Sequence, residues 1–220
     1  MRFQTMKKVL LPALFAAAVI GASVPTSFAQ KAAKIEKAAT KGTAYKVQPQ
    51  LSTLGWLAKK VTGQHNGSVQ FKEGSVLVDG NQITGGTFVV DMKSIKVEDL
   101  TDAGYNAKLV GHLNSDDFFS VDKNPTATFV ITKVAPIKGA AADANNATIT
   151  GNLTIKGITK PVTFPAKVGV KDGVAAASGT ATIDRTQFDI RYGSKSFFES
   201  IGDKAIDNDF ALSFNVIAKK

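Results

Sequence analysis

The chain has 220 residues, no cysteine and a formal net charge of +9. Lack of cysteine excludes a disulfide framework, a thiolate metal site and a lipid-modified N-terminal cysteine, so the fold depends on its own core. Arg2, Lys7 and Lys8, with Lys31, Lys34, Lys37 and Lys41 set against Glu36, carry six of the nine net charges. The body of the chain is therefore near +3, and a basic face for nucleic acid is not expected.

Met1 to Ala29 reads as a secretory signal peptide. Arg2, Lys7 and Lys8 precede an apolar run from Val9 to Val24, and Ser27-Phe28-Ala29 offers small residues at the two positions a signal peptidase reads. Cleavage is expected after Ala29, giving a periplasmic or otherwise exported protein. The run is shorter than the roughly 20 apolar residues of a spanning helix, so no stable membrane span is expected. Residues 30–43 are rich in Ala and Lys with no aromatic side chain, the composition of a flexible basic linker.

From Ala44 to Lys220 the period is two. Val69 and Phe71 alternate with Ser68, Gln70 and Lys72, and Phe88, Val90 and Met92 with Thr87, Val89 and Asp91. Ala147, Ile149, Gly151, Leu153 and Ile155 share one face, as do Val162, Phe164, Ala166, Val168 and Val170. Phe210, Leu212, Phe214 and Val216 form a last strand. Such alternation predicts antiparallel strands with one buried face. Asp79-Gly80-Asn81 and Lys171-Asp172-Gly173 are strong hairpin signals, and Lys72-Glu73-Gly74 is a weaker one. Strands this long and numerous predict closure into a barrel, which removes exposed edges; a β-sandwich is the alternative.

One segment breaks the period. Leu109, His112 and Leu113 have helical spacing, with Thr101 or Asp102 as N-cap, so a short helix is predicted over 101–115. It stands between two strands, where it could cover a barrel mouth. On the strand from Val174 to Ile183, the face formed by Ala175, Ala177, Gly179, Ala181 and Ile183 is small. Small residues there either admit another element closely or leave room for a ligand.

Three phrases follow in fixed order: Gly111-His112-Leu113-Asn114-Ser115-Asp116-Asp117-Phe118-Phe119, then Gly151-Asn152-Leu153-Thr154-Ile155-Lys156-Gly157-Ile158-Thr159-Lys160-Pro161-Val162, then Ile183-Asp184-Arg185-Thr186-Gln187-Phe188. With Leu54-Gly55-Trp56, Gln64-His65-Asn66-Gly67 and Asn124-Pro125-Thr126-Ala127-Thr128-Phe129, they make the chain resemble the YceI-like family from about Tyr45 to its end. The resemblance implies a lipocalin-like antiparallel β-barrel with a short helix that holds a polyisoprenoid or related apolar lipid, without catalysis and without a cofactor. Trp56, Phe88, Val90, Phe118, Phe119, Phe129, Leu153, Phe164, Ala177, Ala181 and Phe214 are the expected tunnel lining, and His112 and Arg185 the polar mouth. Oligomeric state is left open, a homodimer included.

Other chemistries find less support. His65 and His112 lack a nearby acidic cluster, so no metal site is expected. No Gly-x-Ser-x-Gly elbow, phosphate loop or His-Glu-x-x-His occurs. Arg185 has two readings: a carboxylate–guanidinium pair with Asp184 that locks the following turn, or a fork for a ligand phosphate. A filled, stress-protective barrel and an isoprenoid- or quinone-modifying enzyme are the alternative functions.

Overall fold

The computed structural model describes residues 37–39 and 41–220. The expected signal peptide, and most of the linker, lie outside the described residues. The strands are β1 (Thr43–Val47), β2 (Thr53–Lys60), β3 (Gly63–Asp79), β4 (Gln82–Val97), β5 (Thr126–Pro136), β6 (Ala147–Ile155), β7 (Ile158–Lys171), β8 (Val174–Asp184) and β9 (Ile206–Lys219). Among the described residues one α-helix, α1 (Ala103–Asn114), joins β4 to β5.

The sheet runs β1-β3-β2-β9-β8-β7-β6-β5-β4 and closes where β3 pairs with β4. β1 and β2 occupy one stave between the same two neighbours, β3 and β9. The closed antiparallel barrel therefore has eight staves, one of them broken. The break is a 3-10 turn at Pro49–Leu51, where proline has no N–H for the ladder. Ser52 rejoins the pieces: its Oγ donates to Gln48 O (2.8 Å) and accepts from Ile217 N (3.0 Å).

Burial follows the period of two. On β6 Ala147, Ile149, Gly151, Leu153 and Ile155 are buried, and on β8 Ala175, Ala181 and Ile183. Three hairpins turn where sterics require it. Gly80 has φ +60°, and Asp172-Gly173 has two positive φ values, +48° and +74°, matching the right-handed twist of the strands it joins. Lys156-Gly157, at +51° and +72°, makes the same kind of turn between β6 and β7, inside a phrase that carried no turn reading.

Lys72-Glu73-Gly74 is not a turn. It lies within β3, where the pairing with β4 shifts register between Phe71 and Glu73. A Cβ on Gly74 would stand 2.8 Å from Thr87 O, so this glycine serves close strand approach at a bulge. The tail is not free at its end: Ala39 N donates to Ile131 O (3.2 Å), and Lys41 pairs with Asp79 at 2.6 Å.

Candidate functional site

The inward faces do not fill the barrel. Two apolar chambers lie inside, of about 120 Å³ and about 130 Å³. They share Leu54, Val90, Ala127, Leu153 and Leu212 in their walls, and so adjoin. Each is close to the roughly 150 Å³ of an apolar cavity that stays dry and accepts benzene.

Chamber one lies toward the β3–β4 and β7–β8 turns. Among its lining residues only Thr128 is polar. An aromatic arc crosses its wall: Phe71, Phe88, Phe129, Phe164 and Phe214 stand with successive ring centroids 6.2, 6.3, 5.5 and 5.5 Å apart. Glycines seat two of these rings. A Cβ on Gly151 would lie 2.5 Å from the Phe129 ring, and one on Gly179 would lie 3.0 Å from the Phe214 ring. The small face of β8 thus serves both readings at once: Gly179 admits a ring closely, while Ala177 and Ala181 line the space beside it.

Chamber two lies toward α1, walled by Trp56, Met92, Ile95, Leu113, Phe118, Phe119, Phe210 and Arg185 among others. Trp56 donates its Nε1–H to Lys96 O at 3.1 Å. Beside this chamber α1 is capped by Asp102, whose carboxylate accepts from Tyr105 N (2.8 Å). The following turn is tied down by Asp116, which accepts from Ser120 Oγ and from Lys123 Nζ (2.6 Å). The Lys123 ammonium, with the Ser120 hydroxyl, holds the Asp116 carboxyl below its ordinary value.

The chambers collect Phe88, Val90, Phe129, Leu153, Phe164, Ala177, Ala181 and Phe214 in the first, and Trp56, Val90, Phe118, Phe119, Leu153 and Arg185 in the second. His112 lines neither. Its ring stands edge-on between Phe118 (4.9 Å) and Tyr192 (4.6 Å), and its Nε2 meets Asp117 Oδ2 at 3.0 Å. Sequence reasoning missed Leu54, Phe71 and Leu212 as lining, although each sits on the inward parity of its strand. It also missed Tyr192, which lies in a connection without periodicity.

Arg185 does not form the expected pair with Asp184. It is 5% exposed, and forms no ion pair with a carboxylate among the described residues. Its Nε donates to Asp207 O (2.9 Å), Nη1 to Ile190 O (2.9 Å) and Tyr192 O (2.8 Å), and Nη2 to Ile206 O (3.1 Å). Asp184 instead caps the 3-10 turn Arg185–Phe188, accepting from Thr186 N (2.9 Å) and Thr186 Oγ1 (2.6 Å). Successive residues at a strand end point apart, so the Asp184 carboxylate does not meet the guanidinium beside it. Burial pulls the Arg185 guanidinium below its ordinary value, partly offset by the charges of Asp184 and Asp207.

Among the described residues no group of three or more His, Cys, Asp or Glu side chains gathers to hold a metal, and no helix is long and apolar enough to cross a membrane. His65 pairs with Asp99 at 2.8 Å, beside β3.

A family model described as the YceI-like domain matches residues 45–218. A UPF0312 protein of Pseudomonas aeruginosa is 37% identical over 132 residues, covering 57% of this chain and 60% of that one; this chain thus spans less than two thirds of that relative's length. A UPF0312 protein of Shewanella denitrificans is 33% identical over 163 residues, 73% of each chain. Among solved structures, BcnA of Burkholderia cenocepacia superposes with a TM-score of 0.60 at 25% identity, over 79% of this chain and 99% of that one. A polyisoprenoid binding domain from Saccharophagus degradans superposes with a TM-score of 0.56 over 83% and 99%, and at 13% identity its likeness is one of fold. With a lipocalin-like barrel, two adjoining apolar chambers and a family match over nearly the whole described chain, the protein belongs to the YceI-like family.

Proposed function

We propose that this protein binds a polyisoprenoid or similar long apolar lipid inside its barrel, and carries or stores it outside the cytoplasm without catalysis. The observation that carries the reading is the pair of adjoining chambers with an almost wholly apolar wall. A solid core at native density would leave no such space. Each buried methylene contributes roughly 0.8 kcal/mol. A long prenyl chain therefore has enough to offset association costs of about 4–15 kcal/mol with no covalent chemistry. The polyisoprenoid binding named for the Saccharophagus degradans domain, which shares the fold, supports the same ligand class. Export is supported by the charged start, the apolar run and Ser27-Phe28-Ala29.

The test is mass spectrometry of lipid extracted from protein purified from its native host. A stoichiometric long-chain lipid, absent from a control barrel taken through the same steps, is expected. A protein that stays lipid-free and fails to take up a prenyl probe refutes the reading.

A further inference from the structure

The two chambers differ in one respect that bears on which way a ligand lies. Chamber one has no charged side chain in its wall. Chamber two has two charged residues in its wall: Arg185, deeply buried and hydrogen-bonded to neutral backbone carbonyls, and Asp207, which is exposed and offers its backbone O to the Arg185 Nε. A guanidinium has five N–H donors. Four are used by the carbonyls of Asp207, Ile190, Tyr192 and Ile206, which leaves one on Nη2. The charges of Asp184 and Asp207 offset the burial of this cation only in part, and an acceptor oxygen brought to its free N–H by a ligand relieves more of the cost.

We propose that the ligand lies in the barrel in one direction, its apolar tail in chamber one and an acceptor oxygen of its head group, a carbonyl or a phosphate oxygen, against Arg185 in chamber two. This rests on the lipid-binding reading above and adds to it a polarity and a class of head group. Arg185 then has two tasks. It braces the connection that carries Ile190 and Tyr192 against the start of β9, and it receives the head. A plain hydrocarbon satisfies chamber one and leaves the last N–H unmet.

The single tryptophan makes the orientation readable, because Trp56 lines chamber two and not chamber one. Trp56 pairs with Leu212, and Val216 in the wall of chamber one lies four residues further along β9. That is about 13 Å of strand, enough to separate the two ends for a contact quencher.

The experiment uses the folded wild-type protein and two geranylgeranyl phenyl phosphates, whose head offers a phosphate oxygen and does not itself quench indole fluorescence. One bears bromine on the head ring and the other at the far end of the tail. Quenching of Trp56 by the head-brominated probe alone is expected. Stronger quenching by the tail-brominated probe, or equal quenching by both, overturns the proposal. Failure of both probes to enter the barrel, read by native mass spectrometry, refutes lipid binding itself and is thereby distinguished from a wrong orientation.

A second series compares geranylgeranyl phosphate, a quinone-headed chain and the headless hydrocarbon. The phosphate and quinone arms separate the two sources of the acceptor. At least one should bind about tenfold or more tightly than the hydrocarbon, the scale of a hydrogen bond to a charged group. Arg185→Gln should remove that ratio. A folded R185Q that keeps the ratio shows that Arg185 is a brace only and overturns the assignment; where R185Q does not fold, the wild-type quenching experiment decides.

Discussion

Ala177→Phe separates a tunnel from a packed core by a single ring. Ala177 is half-buried on the inward face of β8, opposite Val168 and Val216, and lines chamber one. The added phenyl group is the size of benzene, which an apolar cavity of roughly 150 Å³ accepts. Chamber one, at about 120 Å³, can take it with slight adjustment. The ring then occupies the volume of about six ligand carbons, and at roughly 0.8 kcal/mol for each the ligand loses about 5 kcal/mol. Binding of a prenyl probe is expected to fall by roughly three to four decades. Stability should hold or rise slightly, since the ring buries apolar surface. In a filled core the same ring overpacks its surroundings at a cost of typically 1–3 kcal/mol, with a melt lower by about 2–4 °C for each. Probe titration and thermal melting of the two proteins, run side by side, give the result. Undiminished binding with a sharply lowered melt refutes the tunnel.

Gly151→Ala should destabilise by about 1–3 kcal/mol, because its methyl would meet the Phe129 ring and Val130 O; urea titration measures it, and an unchanged midpoint would mean that the ring moves aside freely. Acid should loosen the latch between β3 and the end of β4. Burial raises the Asp99 carboxyl, but hydrogen bonds from Asn66 N and from His65 outweigh it and hold the group below its ordinary value. A depressed carboxyl contributes stability above the unfolded value, near 3.9, and loses it as pH falls through the folded one. At this exposure the contribution stays below about 1 kcal/mol, and Asp99→Asn should flatten the acid limb of the melting curve by no more than that. A larger flattening contradicts the assignment. Intact-mass analysis of the exported protein should give a chain beginning at Gln30; a mass that still includes Phe3 to Phe15 contradicts export by cleavage.

The barrel itself was legible because its physics is local. Alternation on β6, β7 and β9 assigns inward faces residue by residue, and Asp172-Gly173 marks a turn by its own sterics. The helix was legible to within two residues because Asp102 caps it by a short-range bond. Lys72-Glu73-Gly74 misled because glycine serves a bulge as well as a turn, and only the partner strand distinguishes them. Arg185 misled as a partner of Asp184, for a related reason. Its acceptors are carbonyls of residues 190–207, brought together by the fold, and backbone acceptors have no signature in side-chain identity. Tunnel lining falls between these cases: parity says which side chains face inward, whereas the space left between them depends on how far apart eight staves hold opposite walls.

Closure of the ring between β3 and β4 has a kinetic side. A wall without an edge parts only by breaking a whole ladder of backbone hydrogen bonds, so a ligand held inside exchanges through an end. One end carries α1, a helix with no buried residue, fastened by its cap, by the hydrogen bonds of Asn106 to Val97 O and Leu100 O, and by the His112 cluster. Elements that bury little open at low free energy while the rest of a fold stays intact. Were the proposed lipid to exchange through this end, its residence time would be set by the stability of twelve residues rather than of the barrel. Capture and release would then be retuned on α1 with the strands that give the cavity its shape left untouched.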